Sequence, residues 1–455
     1  MSEAGALRGL LDRAIAAHRG ERFDEALRAY TAYLATRPDD AGIWTNLGAL
    51  YRTTKAHDLA LAAQERAYRL DPKAVTIRRN LANILTDTGQ GDRAASLRQA
   101  LVDEGDGDPE LRAMIGKALR SAQRYDEGVT VLRALLDEHP DHAEGRVQLA
   151  LTLLARGDYA EGFAAFQARW ETGELTPRQI LAPKWQGGDL TGKRILVMPE
   201  QGFGDAVAFA RFIPVLRQFN PDKVLLQVDK PLARLFAEVE GVDEMAPGFD
   251  PGAFDCYVDM MDLPMVHFAR APDVPPPTRL SVPEDSVARA RSLTAPFAGH
   301  LKVGVVWCGS VTYRGNSFRS FTHRELLPLL DLPRTQLFSL YKGPRLKDLH
   351  ADGTSAMILD TAASERDFAD NAAMMREMDL VVTSCTATAH IAGSLGVETW
   401  ILLHWDSFWM WGKETDHSPW YPSARLYRQE VPRDWPGVIA RVRADLAERA
   451  PKGVT

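Results

Sequence analysis

A carboxylate set behind two glycines is the first pattern in this sequence with a chemical use. Gln201-Gly202-Phe203-Gly204-Asp205 follows the apolar run Ile195-Leu196-Val197-Met198 and precedes Ala206 to Leu216, apolar at helical spacing. A strand, a glycine loop and a helix bring backbone N–H groups and a helix N-terminus against an anion or a sugar. Asp205 either caps that helix or faces a substrate as a proton acceptor. The loop is neither a dinucleotide fingerprint, since Val207 stands where a third glycine is needed, nor a P-loop, since no Lys-Ser/Thr follows.

A second loop, Thr383-Ser384-Cys385-Thr386-Ala387-Thr388-Ala389-His390, also joins a strand to a helix. Small hydroxyl residues at a helix start form a phosphate cradle, or simply cap it. His390 falls in the first turn, where it either bonds a phosphate or ribose oxygen or packs as a core histidine. Cys385 has no His/Asp partner pattern that would make it a nucleophile. Lys342, in Ser339-Leu340-Tyr341-Lys342-Gly343 after another strand, neutralises a diphosphate if it enters a cleft, and is otherwise a solvated cation. Arg319 closes a polar loop from Trp307 to Ser320, and aromatic residues gather at Trp405–Trp411 and Trp420-Tyr421. Such rings stack a base or sugar, or form a lid.

These loops need a scaffold. From Arg194 onward the chain reads as strand–helix alternation. The strands are Ile195–Met198, Lys223–Val228, Cys256–Asp259, Leu301–Trp307, Gln336–Leu340, Met357–Leu359, Leu380–Thr383 and Thr399–Leu403. The helices are Ala206–Leu216, Leu232–Glu238, Asp367–Met378, Ala387–Leu395 and one from Pro436 onward. A proline-rich crossing with Pro272, Pro275, Pro276, Pro277 and Pro283 separates two α/β halves. That order predicts two doubly wound sheets with ligands at the carboxyl ends of their strands.

Before them the sequence repeats itself at about 34 residues, the period of the tetratricopeptide helix-turn-helix unit. The best copy carries Trp44, Leu47, Gly48, Tyr51, Ala60, Ala67 and Pro72, with Gln64 where an aromatic is usual. Weaker copies centre on Leu81–Ala94, Ile115–Pro140 and Leu149–Phe166, and a partial one shows Ala26, Tyr30 and Pro38. Stacked units of this kind bind an extended partner or serve as scaffold and dimerisation surface. The predicted organisation is repeats over 1–170, a Gly/Pro linker over 171–193 with Trp185 as anchor, and Rossmann-like domains over 194–285 and 286–455.

Composition sets the outer bounds. The 455 residues, 45% apolar and 25% charged, suit two or three globular domains. A formal net charge of −7 gives no basic face for nucleic acid or membrane. Three scattered cysteines, no signal-peptide core and no long apolar run place the expectation in the cytoplasm.

Taken together in order and spacing, Glu200–Phe212, Trp307–Ser320, Ser339–Gly343, Asp367–Asp370, Cys385–His390 with Gly393 and Gly396, and Ser418–Pro422 carry a resemblance. The chain resembles bacterial tetratricopeptide-containing glycosyltransferases, whose catalytic part is similar to heptosyltransferases and more distantly to O-GlcNAc transferases. The resemblance implies a GT-B architecture and an inverting, metal-independent transfer from a nucleotide-sugar co-substrate, with no other cofactor. No Asp-x-Asp follows the repeats. It implies Asp205 as catalytic base, with Gly202 and Gly204 on the acceptor side. Lys342, Cys385, Thr386, Thr388 and His390 fall on the diphosphate and ribose, supported by Arg319. The repeats would then recruit a protein acceptor such as flagellin, and oligomer formation stays open. Cys385, Tyr341, Asn371 and Ser310–Asn316 depart from the family pattern and bear on the donor sugar. The competing readings are a repeat adaptor with a degenerate sugar-nucleotide domain and a transferase acting on a glycan or lipid-linked acceptor.

Overall fold

The computed structural model describes residues 3–200, 202–246, 252–313, 315–413 and 415–449. Gln201 of the glycine loop and Arg314 of the polar loop lie outside the described residues. Two compact units meet at Leu153 and Leu154.

The first unit is built of antiparallel helix pairs. They are α1 (Glu3–Arg19), α2 (Phe23–Thr36), α3 (Ala41–Thr53), α4 (His57–Leu70), α5 (Val75–Asp87), α6 (Gly91–Asp103), α7 (Pro109–Ser121), α8 (Tyr125–Glu138) and the start of α9 (Ala143–Arg156). Ala60, Ala82, Ala94 and Ala118 are fully buried, which lets neighbouring helices approach, while Leu81, Leu85 and Leu119 fill the space between pairs. Gln64 keeps the aromatic position by satisfying itself. It accepts from Thr45 Oγ1 at 2.6 Å and donates to the Thr45 carbonyl at 2.9 Å. The acidic loop after α6 is also structured: Arg79 holds Asp106 and Asp108, each at 2.7 Å, and Asp108 caps α7 through Glu110 N–H.

The second unit begins inside α9, so α10 (Tyr159–Ala165) and a 3-10 turn over Phe166–Trp170 belong to it rather than to the repeat array alone. The reason is aromatic. Phe163 stacks on Phe268 at 5.5 Å and meets Phe209 and Trp409 edge-on, while Tyr159 packs on Phe268 and Trp420. Thr172–Lys193 has no helix or strand. Trp185 anchors it as expected, donating its backbone N–H to Tyr257 O at 2.7 Å and its indole N–H to Gly188 O at 3.2 Å, with its ring on Phe219 at 4.8 Å.

Four strands follow: β1 (Arg194–Met198), β2 (Lys223–Gln227), β3 (Glu244–Ala246) and β4 (Cys256–Asp259), in order β3-β2-β1-β4 and all parallel. A second sheet is made of β5 (Leu301–Val306), β6 (Thr335–Ser339), β7 (Ile358–Asp360), β8 (Leu380–Ser384), β9 (Thr399–Leu403), β10 (His417–Ser418) and β11 (Tyr421–Arg428). Its order is β10-β11-β9-β8-β5-β6-β7, and β10 alone runs antiparallel among the described residues. The helices of this unit after α10 are α11 (Phe203–Phe209), α12 (Leu263–Phe268), α13 (Glu284–Thr294), α14 (Asn316–Arg319), α15 (Leu346–Ala351), α16 (Phe368–Arg376), α17 (Ala387–Ser394) and α18 (Trp435–Ala447).

Two expected helices change form. The run Ala206–Leu216 is α-helical only to Phe209 and continues as a 3-10 helix over Ala210–Phe219, because Pro214 has no N–H for the i→i−4 ladder. Leu232–Glu238 forms no α-helix. A 3-10 turn over Lys230–Leu232 leads into turns, and Arg234 is drawn to Asp285, Asp367 and Ser286. The expected elements include none of β3, β10, β11, α12, α13, α14 and α15. Pro422 hides β11, α13 was masked by the prolines before it, and β3 is only three residues long.

Candidate functional site

Strand order dictates where a site can form. In the first sheet the chain leaves β1 toward β2 and returns on its other side as β4. In the second it leaves β5 toward β6 and returns as β8. At such switch points adjacent carboxyl ends splay and leave a crevice. The loop after β1 carries Gly202, Gly204 and Asp205, the loop after β5 leads to Arg319, and the loop after β8 carries Cys385 to His390. The residues singled out by chemistry thus sit on the loops the topology favours.

The two sheets bring those loops together through α11 and α17. A Cβ on Gly204 would lie 3.0 Å from His390 Cδ2 and 3.2 Å from Ala387 Cα, so only glycine lets the helices approach this closely. Asp205, at the third position of α11, is half-buried and accepts from Gly202 N–H at 3.1 Å. Burial pushes its carboxyl up to about 6, while the Gly202 N–H and the Arg319 cation hold it down.

Arg319 is shared by the whole cluster. Its guanidinium lies 4.4 Å over Tyr313, lowers Asp205 and Cys385, and disfavours a second charge on His390. Its buried Nε has no hydrogen-bond partner among the described residues, and neither does Ser384 Oγ. Burial pushes the Cys385 thiol up, and Trp411 Nε1–H donates to its sulfur at 3.0 Å. That is a neutral, packed thiol rather than a nucleophile. Thr386 is the N-cap residue of α17 and Thr388 lies in its first turn, both buried. His390 is buried too. Its Nδ1 lies 3.1 Å from Tyr421 Oη and its ring stacks on Trp411 at 5.3 Å. Burial and the nearby Arg211 and Arg319 take its pKa down to about 3, which leaves a neutral imidazole at physiological pH.

Lys342 follows β6, the neighbour of β5. It is exposed at the end of β6, and its ammonium donates to the Glu365 carbonyl. There it joins a second polar group, in which Asn371 donates to both Glu365 oxygens at 3.1 and 3.0 Å and to Leu340 O at 3.0 Å. Burial pushes the Glu365 carboxyl up to about 8.

Sequence reasoning missed Arg211, and it named Tyr421 only within an aromatic cluster, not as the partner of His390. Arg211 is a buried cation that donates to the carbonyls of Ala208, Trp420 and Pro275 and lies 4.6 Å over the Tyr421 ring. Its signal was a lone charge inside the apolar stretch Ala206–Leu216. A buried ion group behind the loop was also missed. Arg169 bonds Glu200 at 2.7 and 2.8 Å and Asp262 at 2.5 Å, and Lys184 reaches Asp259 and Asp262 at 2.6 and 2.7 Å. These residues are too far apart in sequence to be paired without the fold.

The tetratricopeptide repeat family model matches residues 11–75 and 113–171. The chain is similar to Protein FlbA of Caulobacter vibrioides, 27% identical over 456 residues, covering 94% of this chain and 71% of that protein. A short stretch is similar to the peroxisomal targeting signal receptor of Eremothecium gossypii, 38% identical over 65 residues, or 14% of this chain and 11% of that one. Among solved structures, MamA from Desulfovibrio magneticus covers 37% of this chain and 97% of its own, at 15% identity and a TM-score of 0.34. No described helix is long and apolar enough to cross a membrane. The N-terminal part of the chain is a tetratricopeptide repeat array, and the whole resembles a FlbA-like protein.

Proposed function

We propose that the second unit is a glycosyltransferase of GT-B type, moving a sugar from a nucleotide-sugar donor to an acceptor hydroxyl. The observation that carries this reading is the meeting of Asp205, from the switch point of one parallel sheet, with Arg319 and the Cys385–His390 loop from the switch point of the other. In this mechanism Asp205 takes the proton of the acceptor hydroxyl. The acceptor oxygen forms a bond to the anomeric carbon as the bond to the diphosphate breaks on the opposite face, inverting the configuration. The departing nucleoside diphosphate takes up the negative charge, which Arg319, His390 and the N-terminus of α17 at Thr386–Thr388 stabilise. A carboxyl titrating near 6 is ionised at neutral pH yet basic enough to accept a proton.

The repeats supply the acceptor in this reading, a protein held along stacked helix pairs, with flagellin as a candidate. A purified chain offered a panel of nucleotide sugars tests it: the true donor raises the melting temperature and is consumed with an acceptor. A second reading, a non-catalytic repeat adaptor, is favoured by one observation. Asp205 already receives the Gly202 N–H and so serves as a helix cap. If no nucleotide sugar shifts the melting temperature, the adaptor reading replaces the transferase.

A further inference from the structure

His390 offers its two ring nitrogens to different surroundings. Nδ1 lies 3.1 Å from the hydroxyl of Tyr421, whereas the opposite ring edge, carrying Cδ2 and bonded through it to Nε2, lies on the Gly204 side of the site. The flat face is held by Trp411, stacked at 5.3 Å and 21°. The ring therefore has one position and two candidate tautomers.

Tyr421 is built into place by a second glycine. A Cβ on Gly393 would lie 2.5 Å from Tyr421 Cδ1 and 2.6 Å from Cγ, so the phenol ring lies directly on the α17 backbone. Gly393 is three residues after His390 and thus on the same helix face. The first residue of β11 is in this way pressed against the helix that carries the histidine. Tyr421 is fully buried, and Arg211 lies 4.6 Å over its ring.

The charges around the pair select the tautomer. An imidazole with hydrogen on Nδ1 would aim the positive end of its N–H dipole toward Tyr421 and the adjoining guanidinium of Arg211. The alternative turns the Nδ1 lone pair toward that cation and lets the phenol donate its own hydrogen. Arg319 acts on the same ring, while the titratable groups near Tyr421 are Arg211 and Asp205. A neutral phenol is a donor needing an acceptor once buried; Nδ1 lies 3.1 Å from it, and the Ser394 hydroxyl and Arg211, which also face the phenol, can both donate to its oxygen.

We infer that Tyr421 is the positioning residue for His390, its hydroxyl donating to Nδ1 and so fixing the tautomer that presents Nε2–H to the Gly202–Asp205 side of the site. The ligand chemistry such a donor suits is an oxyanion or hydroxyl oxygen, and the role rests on the transferase reading given above, in which that oxygen belongs to the donor diphosphate. A fixed N–H dipole adds no charge that must be released with the product, unlike an imidazolium. Strand β11, through its first residue, thereby becomes part of the site and not only an addition to the sheet.

Long-range proton–nitrogen correlation spectra of the histidine-labelled full chain read the tautomer directly, with His390→Gln assigning the signal. The expected result is an Nε2–H imidazole unchanged between pH 5.5 and 8. Tyr421→Phe, which keeps the ring on Gly393, should convert it to a mixture of tautomers. An Nδ1–H signal in the unaltered protein, or no change in Tyr421→Phe, overturns the inference. A panel of nucleoside diphosphates gives the functional arm. Tyr421→Phe and His390→Gln should each weaken the tightest binder about five- to tenfold, and the double variant no more than either alone. Additive losses overturn the positioning role. If no diphosphate binds while the spectra behave as expected, the transferase reading fails and the tautomer assignment stands.

Discussion

Asp205 carries the largest functional claim, and its environment gives that claim a pH signature. If it is the base, kcat/KM should fall on the acid side with a midpoint near pH 6, in place of the ordinary carboxylate range. Its ionised form also costs stability: the folded state holds the proton more tightly than the unfolded chain, so stability declines from about pH 4 to pH 6 and is flat above. Asp205→Asn keeps an acceptor for Gly202 N–H and removes that charge. It should abolish transfer yet stabilise the protein by about 1 kcal/mol at pH 7.5, allowing for partial exposure, as read by chemical denaturation. Glu365 follows the same sign over a wider window, from the ordinary carboxylate range to about 8. Glu365→Gln should raise the melting temperature at pH 8.5, by roughly 2 kcal/mol of stability, and give no benefit at pH 4.5. At this scale residue types were readable: Asp205, Arg319, Cys385 and His390 do come together. Partners were not, because Tyr421 and Arg211 reach His390 only through a strand concealed by Pro422 and a guanidinium buried among carbonyls.

Elements were legible wherever burial on both faces produced an unbroken apolar run. The strands Cys256–Asp259 and Thr399–Leu403 fall where expected, and β1, β5, β6 and β8 within a residue of their expected ends. Helices were less so, since helical spacing does not distinguish an α-helix from a 3-10 helix, and only Pro214 records the change after Phe209. Close approach is the element-scale rule with the sharpest consequence. At Gly393 an added methyl meets the Tyr421 ring at 2.5 Å, with the fully buried Tyr421 unable to retreat. Gly393→Ala should therefore cost about 1–3 kcal/mol in denaturant unfolding, in spite of the better helix propensity of alanine.

On the scale of the molecule, the repeat period was evident from small and aromatic residues at fixed spacing, and the family match runs to residue 171, although the first compact unit ends at Leu153. A helix of the last repeat looks in sequence like its predecessors. Its tertiary partners differ: Phe163 is fully buried against Phe268, Phe209 and Trp409, and Arg169 holds Glu200 and Asp262. A chain beginning at residue 171 should accordingly fail to give a folded second unit, whereas one beginning at 154 should fold. Phe163→Ala in the full chain should cost about 3–5 kcal/mol. Circular dichroism and cooperative thermal unfolding check both. Equal folding of the two truncations would show that α10 is only repeat scaffold.

The central claim, a sugar transferase built at the meeting of two switch-point loops, is tested most directly by offering the purified chain a panel of nucleotide sugars with its acceptor. Donor consumption and thermal shift are followed for the unaltered protein and for Asp205→Ala. One donor should both stabilise the protein and react, with Asp205→Ala binding it and leaving it unreacted. Binding of no donor, or undiminished transfer by Asp205→Ala, would contradict it.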